Sequence, residues 1–290
     1  MLIPSGFSCY LCGGKSISIR RGHARDNENL VPLECNQCGL VTLSSFDHIS
    51  KNFYEDSRMH ADIPCVPDIM TQIGHKDCAR RYNDFVNFLV DKNVLDIGCG
   101  DGAFLALAKT IAARVAGVEP DKQWKARHKI LGLDVAPSLS DLPAGSLFDT
   151  VTMFHLLEHI PDPLPFLEHI KHFLSSESRM VVEVPNAQDA LLTLYESLAF
   201  SEFTYWSPHL FLYTPETLKK LFQLAGYRQL EEHQFQRYPL ANHLYWLAKG
   251  EPAGQTRWPE LDTPTLNHAY ADALAALGKC DTIIGVFIRE

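Results

Sequence analysis

The chain has 290 residues, 46% hydrophobic and 21% charged, enough apolar mass for a packed core and too much for a disordered chain. Its formal net charge of −9 argues against a general binder of nucleic-acid backbone, which needs a basic face. No run of about 18 apolar residues suggests a membrane-spanning helix, and the start Met1-Leu2-Ile3-Pro4-Ser5-Gly6 lacks signal-peptide character, so a cytoplasmic location without membrane partners is expected.

Eight cysteines in such a chain read as thiols or metal ligands before disulfides. Four of them, Cys9, Cys12, Cys35 and Cys38, form two C-x2-C knuckles separated by 22 residues. Gly13 and Gly39 follow the second cysteine of each knuckle and let backbone N–H groups turn toward sulfur. Four soft ligands suit a tetrahedral zinc ion, and a closed four-ligand site is structural. So short a segment needs the metal for its stability.

Beyond it lies a polar, irregular stretch with Pro64 and Pro67, then an expected helix from Gly74 to Val90. From Asn93 apolar runs alternate with helical periods, the pattern of βα units on a mainly parallel sheet. Strands are expected at Val94–Ile97, Val115–Glu119, Thr150–Phe154, Met180–Val184, Tyr227–Phe235 and Thr282–Arg289. Helices are expected at Ala103–Ala112, Lys122–Leu131, Pro163–Phe173, Asp189–Phe200 and Pro215–Ala225. The last has Thr214 as N-cap and Gly226 just past its end. Two further helical patterns, Leu240–Lys249 and Leu266–Leu277, precede the final strand. The expected division is a zinc ribbon over residues 1–45, a linker and helical lid over 46–92, and an α/β domain over 93–290, with an insertion at about 237–280.

The richest segment is Val94-Leu95-Asp96-Ile97-Gly98-Cys99-Gly100-Asp101-Gly102-Ala103. A strand runs into a glycine turn and a helix start, where backbone and helix dipole can approach a ligand. Glu119 closes the next strand, where a carboxylate can accept both hydroxyls of a ribose. Gly98-x-Gly100-x-x-Ala103 also satisfies the dinucleotide fingerprint. Two features separate the readings: Asp96 just before the first glycine, and the string from Phe148-Asp149-Thr150-Val151 through Phe154-His155-Leu156-Leu157-Glu158-His159-Ile160-Pro161-Asp162-Pro163.

In these motifs the sequence resembles the class I S-adenosylmethionine-dependent methyltransferases, over about residues 93–235. The resemblance implies a Rossmann-like seven-stranded α/β sheet with an antiparallel last strand. With the cysteine segment added, the chain looks like a subgroup with a zinc-ribbon head, associated with sugar, surface-polysaccharide or secondary-metabolite methylation. The resemblance further implies that Asp96, Gly98, Cys99 and Gly100 line the methionine part of S-adenosylmethionine, with Asp96 reaching the amino group through water. It puts Glu119 and Pro120 at the ribose, Asp141 and Leu142 at the adenine, and Phe154 and His155 beside the sulfonium. Expected acceptors are small molecules or sugar-type precursors. The alternatives are a tRNA or protein methyltransferase docking through the ribbon, and a catalytically silent binding protein.

Methyl transfer asks mainly for alignment, and for a base only where the acceptor must lose a proton. His155, at the end of a central strand, is the first candidate for base or substrate contact. Glu158 and His159 are expected to make structural hydrogen bonds. The aromatic stretch Tyr205–Tyr213 is expected over the pocket mouth, with His209 as the alternative base and Asn186 facing the same pocket.

Overall fold

The computed structural model describes residues 6–50, 52–55 and 67–290, apart from the side chains of 67–73 and 75. Pro64 and Cys65 lie outside the described residues.

The strands are β1 (Ile17–Ile19), β2 (Pro32–Cys35), β3 (Val41–Leu43), β4 (Asn93–Ile97), β5 (Arg114–Val118), β6 (Val135–Ala136), β7 (Phe148–Phe154), β8 (Leu174–Pro185), β9 (Phe211–Leu212), β10 (Tyr227–Phe235) and β11 (Thr282–Arg289). Seven form one sheet in the order β10-β11-β8-β7-β4-β5-β6. Strands β4, β5, β6, β7 and β8 pair in parallel, while β11 runs antiparallel to both β8 and β10. This is the Rossmann-like fold of class I methyltransferases. The parallel strands are covered on both faces and are therefore apolar throughout: Val94, Leu95, Ile97, Val151, Met153, Val182 and Val184 are all buried. Helix Pro215–Leu224 begins with a capping box, the Thr214 and Thr217 side chains each bonding the other's backbone. It packs Phe222 flat on Phe287 of β11, the ring centres 3.7 Å apart.

The other four strands form a small sheet in the order β1-β2-β3-β9. Its fourth strand comes from residues 211–212, so the cysteine-rich segment and the α/β unit share a sheet.

Several expected helices are shorter or divided. Ala103–Ala112 stops at Ala108, beyond which the Thr110 hydroxyl bonds back to the Leu107 carbonyl and the chain turns toward β5. Asp189–Phe200 is two helices, Ala190–Thr193 and Leu198–Thr204, broken where Glu196 takes a positive φ and Ser197 caps the second. The helix expected from Gly74 begins at Pro67, ends at Asp84 and is followed by a short turn, Val86–Leu89. No helix among the described residues is long and apolar enough to cross a membrane.

Candidate active site

The sheet's strand order reverses between β4 and β7, and open α/β sheets bind ligands at the carboxyl ends of strands flanking such a point. The β4 end leads directly into the glycine loop. The Gly98 and Cys99 N–H groups both donate to the Val118 carbonyl, which pins the loop against β5. Gly98 has φ +76°, and a Cβ there would come within 3.0 Å of Leu156. Gly100 has φ +52°, and a Cβ there would meet nothing within 4 Å, which leaves open space beside bare backbone.

Glu119 ties the loop together. Its Oε2 accepts the Gly100 N–H at 2.8 Å and its Oε1 the Asp121 N–H at 2.9 Å. Each carboxylate oxygen keeps a second acceptor position for a ligand hydroxyl. Burial holds this carboxyl above its ordinary range, against the pull of those two N–H groups. His128 Nε2 lies 2.7 Å from the Gly100 carbonyl and braces the loop from the far side.

Asp96 is buried at the end of β4 and accepts the Thr152 hydroxyl at 2.6 Å. Desolvation pushes its carboxyl up to about 7, only partly offset by Thr152 and Arg81. A buried carboxylate with so little compensation suits a cationic ligand group. The residues present thus fit a charged sulfur nucleoside: acceptor oxygens for a diol, backbone open to close approach, and a carboxylate for an ammonium. Cys99 is buried, and Pro120 stands beside Glu119. Asp141 is exposed and accepts from Ser138, while Leu142 is half-buried against the core.

At the β7 end, Phe154 is buried under the Arg81 guanidinium, which stacks 4.4 Å above its ring centre. His155 takes a positive φ of 53°, rare for a residue with a Cβ. Its Nδ1 lies 3.4 Å from Glu158 Oε1 and its Nε2 3.2 Å from Glu183 Oε1. Burial alone would depress its pKa, but these two carboxylates outweigh burial and raise it. His209 behaves oppositely: desolvation and the neighbouring His159 lower it to about 3, so its ring is neutral.

Glu183 stands in the middle of apolar β8 and receives Arg80 at 2.7 Å and Arg81 at 2.6 Å. Neither arginine was picked out from the sequence. The signal was Glu183 itself, since a carboxylate inside a run of buried valines requires a charged partner.

The aromatic stretch after helix Leu198–Thr204 divides. Tyr205, Leu210, Phe211, Leu212 and Tyr213 are all buried, and β9 is committed to the small sheet, so these residues plug the core and offer no face for stacking on a ligand. His209 alone turns toward Glu158 and His159. Asn186 is not in the pocket either: it is buried, and its amide donates to the Cys280 carbonyl at 2.7 Å. Glu158 departs from the expected structural hydrogen bonding. Its side chain is fully buried, yet among the described residues neither carboxylate oxygen accepts a hydrogen bond.

The four N-terminal cysteines converge, with Cys9–Cys38 and Cys12–Cys35 sulfurs each 3.5 Å apart. Zinc–sulfur bonds of about 2.3 Å in a tetrahedron place sulfurs ~3.8 Å apart. Backbone N–H groups of Leu11 and Cys12 face Cys9, and those of Gln37 and Cys38 face Cys35. Gly13 and Gly39, at φ +68° and +80°, make those turns. The cluster could hold such an ion.

The chain belongs to the methyltransferase-domain family, whose model matches residues 72–232, more than half of its length. Among curated relatives, the tRNA U34 carboxymethyltransferase of Serratia proteamaculans is 34% identical over 105 residues, 33% of this chain and 32% of that protein. The chain therefore spans about a third of the curated relatives it matches. Among solved structures, a SAM-dependent methyltransferase from Archaeoglobus fulgidus superposes with a TM-score of 0.50 at 22% identity, covering 72% of this chain and 91% of that one. Magnesium protoporphyrin IX methyltransferase from Synechocystis PCC 6803 superposes with a TM-score of 0.52 at 12% identity, covering 83% and 98%. At these identities the likeness speaks for the fold.

Proposed function

We propose that the chain transfers a methyl group from S-adenosylmethionine to a small-molecule or glycan-type acceptor. The observation that carries this reading is the joint between β4 and β5, where Asp96 and Glu119 flank a glycine backbone with room beside it. Asp96, Gly98, Cys99 and Gly100 take the methionine part, Glu119 and Pro120 the ribose, Asp141 and Leu142 the adenine, and Phe154 and His155 the sulfonium side. The acceptor attacks the methyl carbon in line, and the carbon–sulfur electron pair stays on sulfur. The two carboxylates beside His155 raise its pKa and favour its charged form, which suits a positioning residue better than a base. His209 is neutral, but lowered to about 3 it holds an abstracted proton poorly, so neither histidine is assigned as the base. Cys9, Cys12, Cys35 and Cys38 hold a structural zinc in a ribbon over residues 1–45, ahead of a linker and lid over 46–92 and a catalytic domain over 93–290.

Calorimetry tests the cofactor: binding of S-adenosylmethionine and its demethylated product without binding of NAD is expected, and the reverse would overturn the reading. Labelled methyl transfer to a panel of sugar nucleotides and small metabolites tests the acceptor class. The names of the curated relatives favour one rival, a tRNA acceptor. A net charge of −9 weighs against it, and label appearing in bulk tRNA but in no small molecule would establish it.

A further inference from the structure

The turn after β7 carries a group of side chains that the cofactor pocket does not use. Glu158, His159 and His209 each offer one ligand atom, and these atoms lie within 4.8 Å of one another. Glu158 has no side-chain exposure, and among the described residues neither of its oxygens accepts a hydrogen bond, although His155 Nδ1 stands 3.4 Å from one of them. Leaving a buried carboxylate without hydrogen bonds costs several kcal/mol in ordinary circumstances. His155 meets one side of this carboxylate, and a cation on the side of His159 and His209 would meet the other.

The two imidazoles are arranged for the same partner. His159 Nδ1 lies 2.9 Å from the Pro208 carbonyl, which fixes it as the protonated nitrogen and makes Nε2 the lone-pair nitrogen. This is the outer hydrogen bond that metal-binding histidines commonly make. The His159 and His209 rings meet edge to face with centres 4.8 Å apart, and the Tyr54 hydroxyl donates to the His159 carbonyl at 2.8 Å. His209 enters from the segment leading into β9, which β3 of the small sheet fixes in register.

We infer that Glu158, His159 and His209 bind a divalent transition-metal cation, separate from the four-cysteine cluster, whose open positions take an oxygen of the methyl acceptor. One carboxylate and two imidazoles are ligands of borderline character, suited to Zn²⁺, Fe²⁺ or Mn²⁺, and three protein ligands leave coordination open. Held there, an acceptor hydroxyl is acidified and gives its proton to solvent. Its oxygen then attacks the methyl carbon, the carbon–sulfur bond breaks with both electrons on sulfur, and one proton is released per methyl transferred. The metal site stands on its own geometry; its catalytic use rests on the proposed function.

The full chain, saturated with Zn²⁺ and freed of excess by gel filtration, is assayed for metal by mass spectrometry. Two zinc ions per wild-type chain are expected, and one in Glu158→Gln and in His209→Ala. The visible spectrum of the cobalt-loaded wild type decides without any variant. A second cobalt lacking sulfur charge-transfer bands supports the site, and cobalt found only with sulfur ligands overturns it. Two zinc ions persisting in both folded variants would overturn it as well. Calorimetry of S-adenosylmethionine binding on the same samples keeps the two readings apart: a missing second metal with intact cofactor binding sinks the metal site alone, and a present second metal without cofactor binding sinks the methyltransferase reading alone.

Discussion

Asp96 does two opposed things. Its carboxyl is pushed up to about 7 by burial, whereas an unfolded chain ionises it near 4. Between those values the folded chain holds a proton that the unfolded chain releases, so stability falls as pH rises from about 4 to 7 and is not regained above. Asp96→Asn keeps an acceptor for Thr152 and removes the charge. It should raise the Tm of the cofactor-free chain above pH 7, by roughly 2–4 °C for each kcal/mol recovered, as scanning calorimetry would read. The same carboxylate is the partner proposed for the cofactor's ammonium. Wild-type affinity for S-adenosylmethionine should therefore climb as pH rises through about 7, and Asp96→Asn should bind weakly with a flat profile. Glu119→Ala should weaken binding by about 1–3 kcal/mol, roughly 5–150-fold, by stranding the ribose hydroxyls and the Gly100 and Asp121 N–H groups. These residues were legible from sequence because strand, loop, helix and second acid follow one another within about twenty-five positions and their chemistry is local. Glu158 and His209 were each noticed but not joined, since nothing local relates two positions 51 apart that meet only when β9 enters the small sheet.

At the scale of elements, the short strands decide more than the long ones. The long strands of the large sheet were readable as apolar runs, and β10 and β11 fall on the expected residues. The two-residue strands β6 and β9 carry no periodicity, because two residues cannot alternate, and they become strands only by finding a partner. Yet β9 is the only segment of the α/β unit among the described strands that pairs with the cysteine-rich sheet, and His209 lies two residues before it. Loosening the knuckles should accordingly reach the acceptor side of the site before the cofactor side. Cys12→Ser should lower Tm, a loss of about 2 kcal/mol showing as ~4–8 °C. It should also cut turnover with the affinity for S-adenosylmethionine unchanged. Steady-state rates and calorimetry on one preparation would check this; a parallel fall in both quantities would mean that the small sheet supports the whole molecule and not this edge of it.

Across the whole molecule a net charge of −9 conceals a buried cationic cluster. Arg80 and Arg81, on helix Pro67–Asp84, both reach Glu183 in the centre of the sheet, and Asp77 of the same helix receives Arg237 at 2.6 Å, just beyond β10. The helix covers the cofactor end of the sheet and is fastened there by charge, with Arg81 lying over Phe154 and acting on Asp96. Pairs separated by more than a hundred positions cannot be read from spacing, which is why the helix was expected and its anchorage was not. Burial alone would raise Glu183, but Arg81 and His155 hold it well below the usual carboxylate range. Its folded value lies beneath its unfolded one, so its contribution is complete above about pH 4–5 and drains away as pH falls further. Glu183→Gln, which strands two guanidinium groups, should cost about 3–5 kcal/mol in denaturant unfolding at pH 7. The gap from wild type should narrow as the measurement moves below pH 4, where the wild-type carboxylate begins to take up its proton. If the clamp also orders the cofactor site, Glu183→Gln should bind S-adenosylmethionine more weakly at pH 7 even where the variant is fully folded. A variant equally destabilised at pH 7 and at low pH would place its cost in lost packing and not in lost charge.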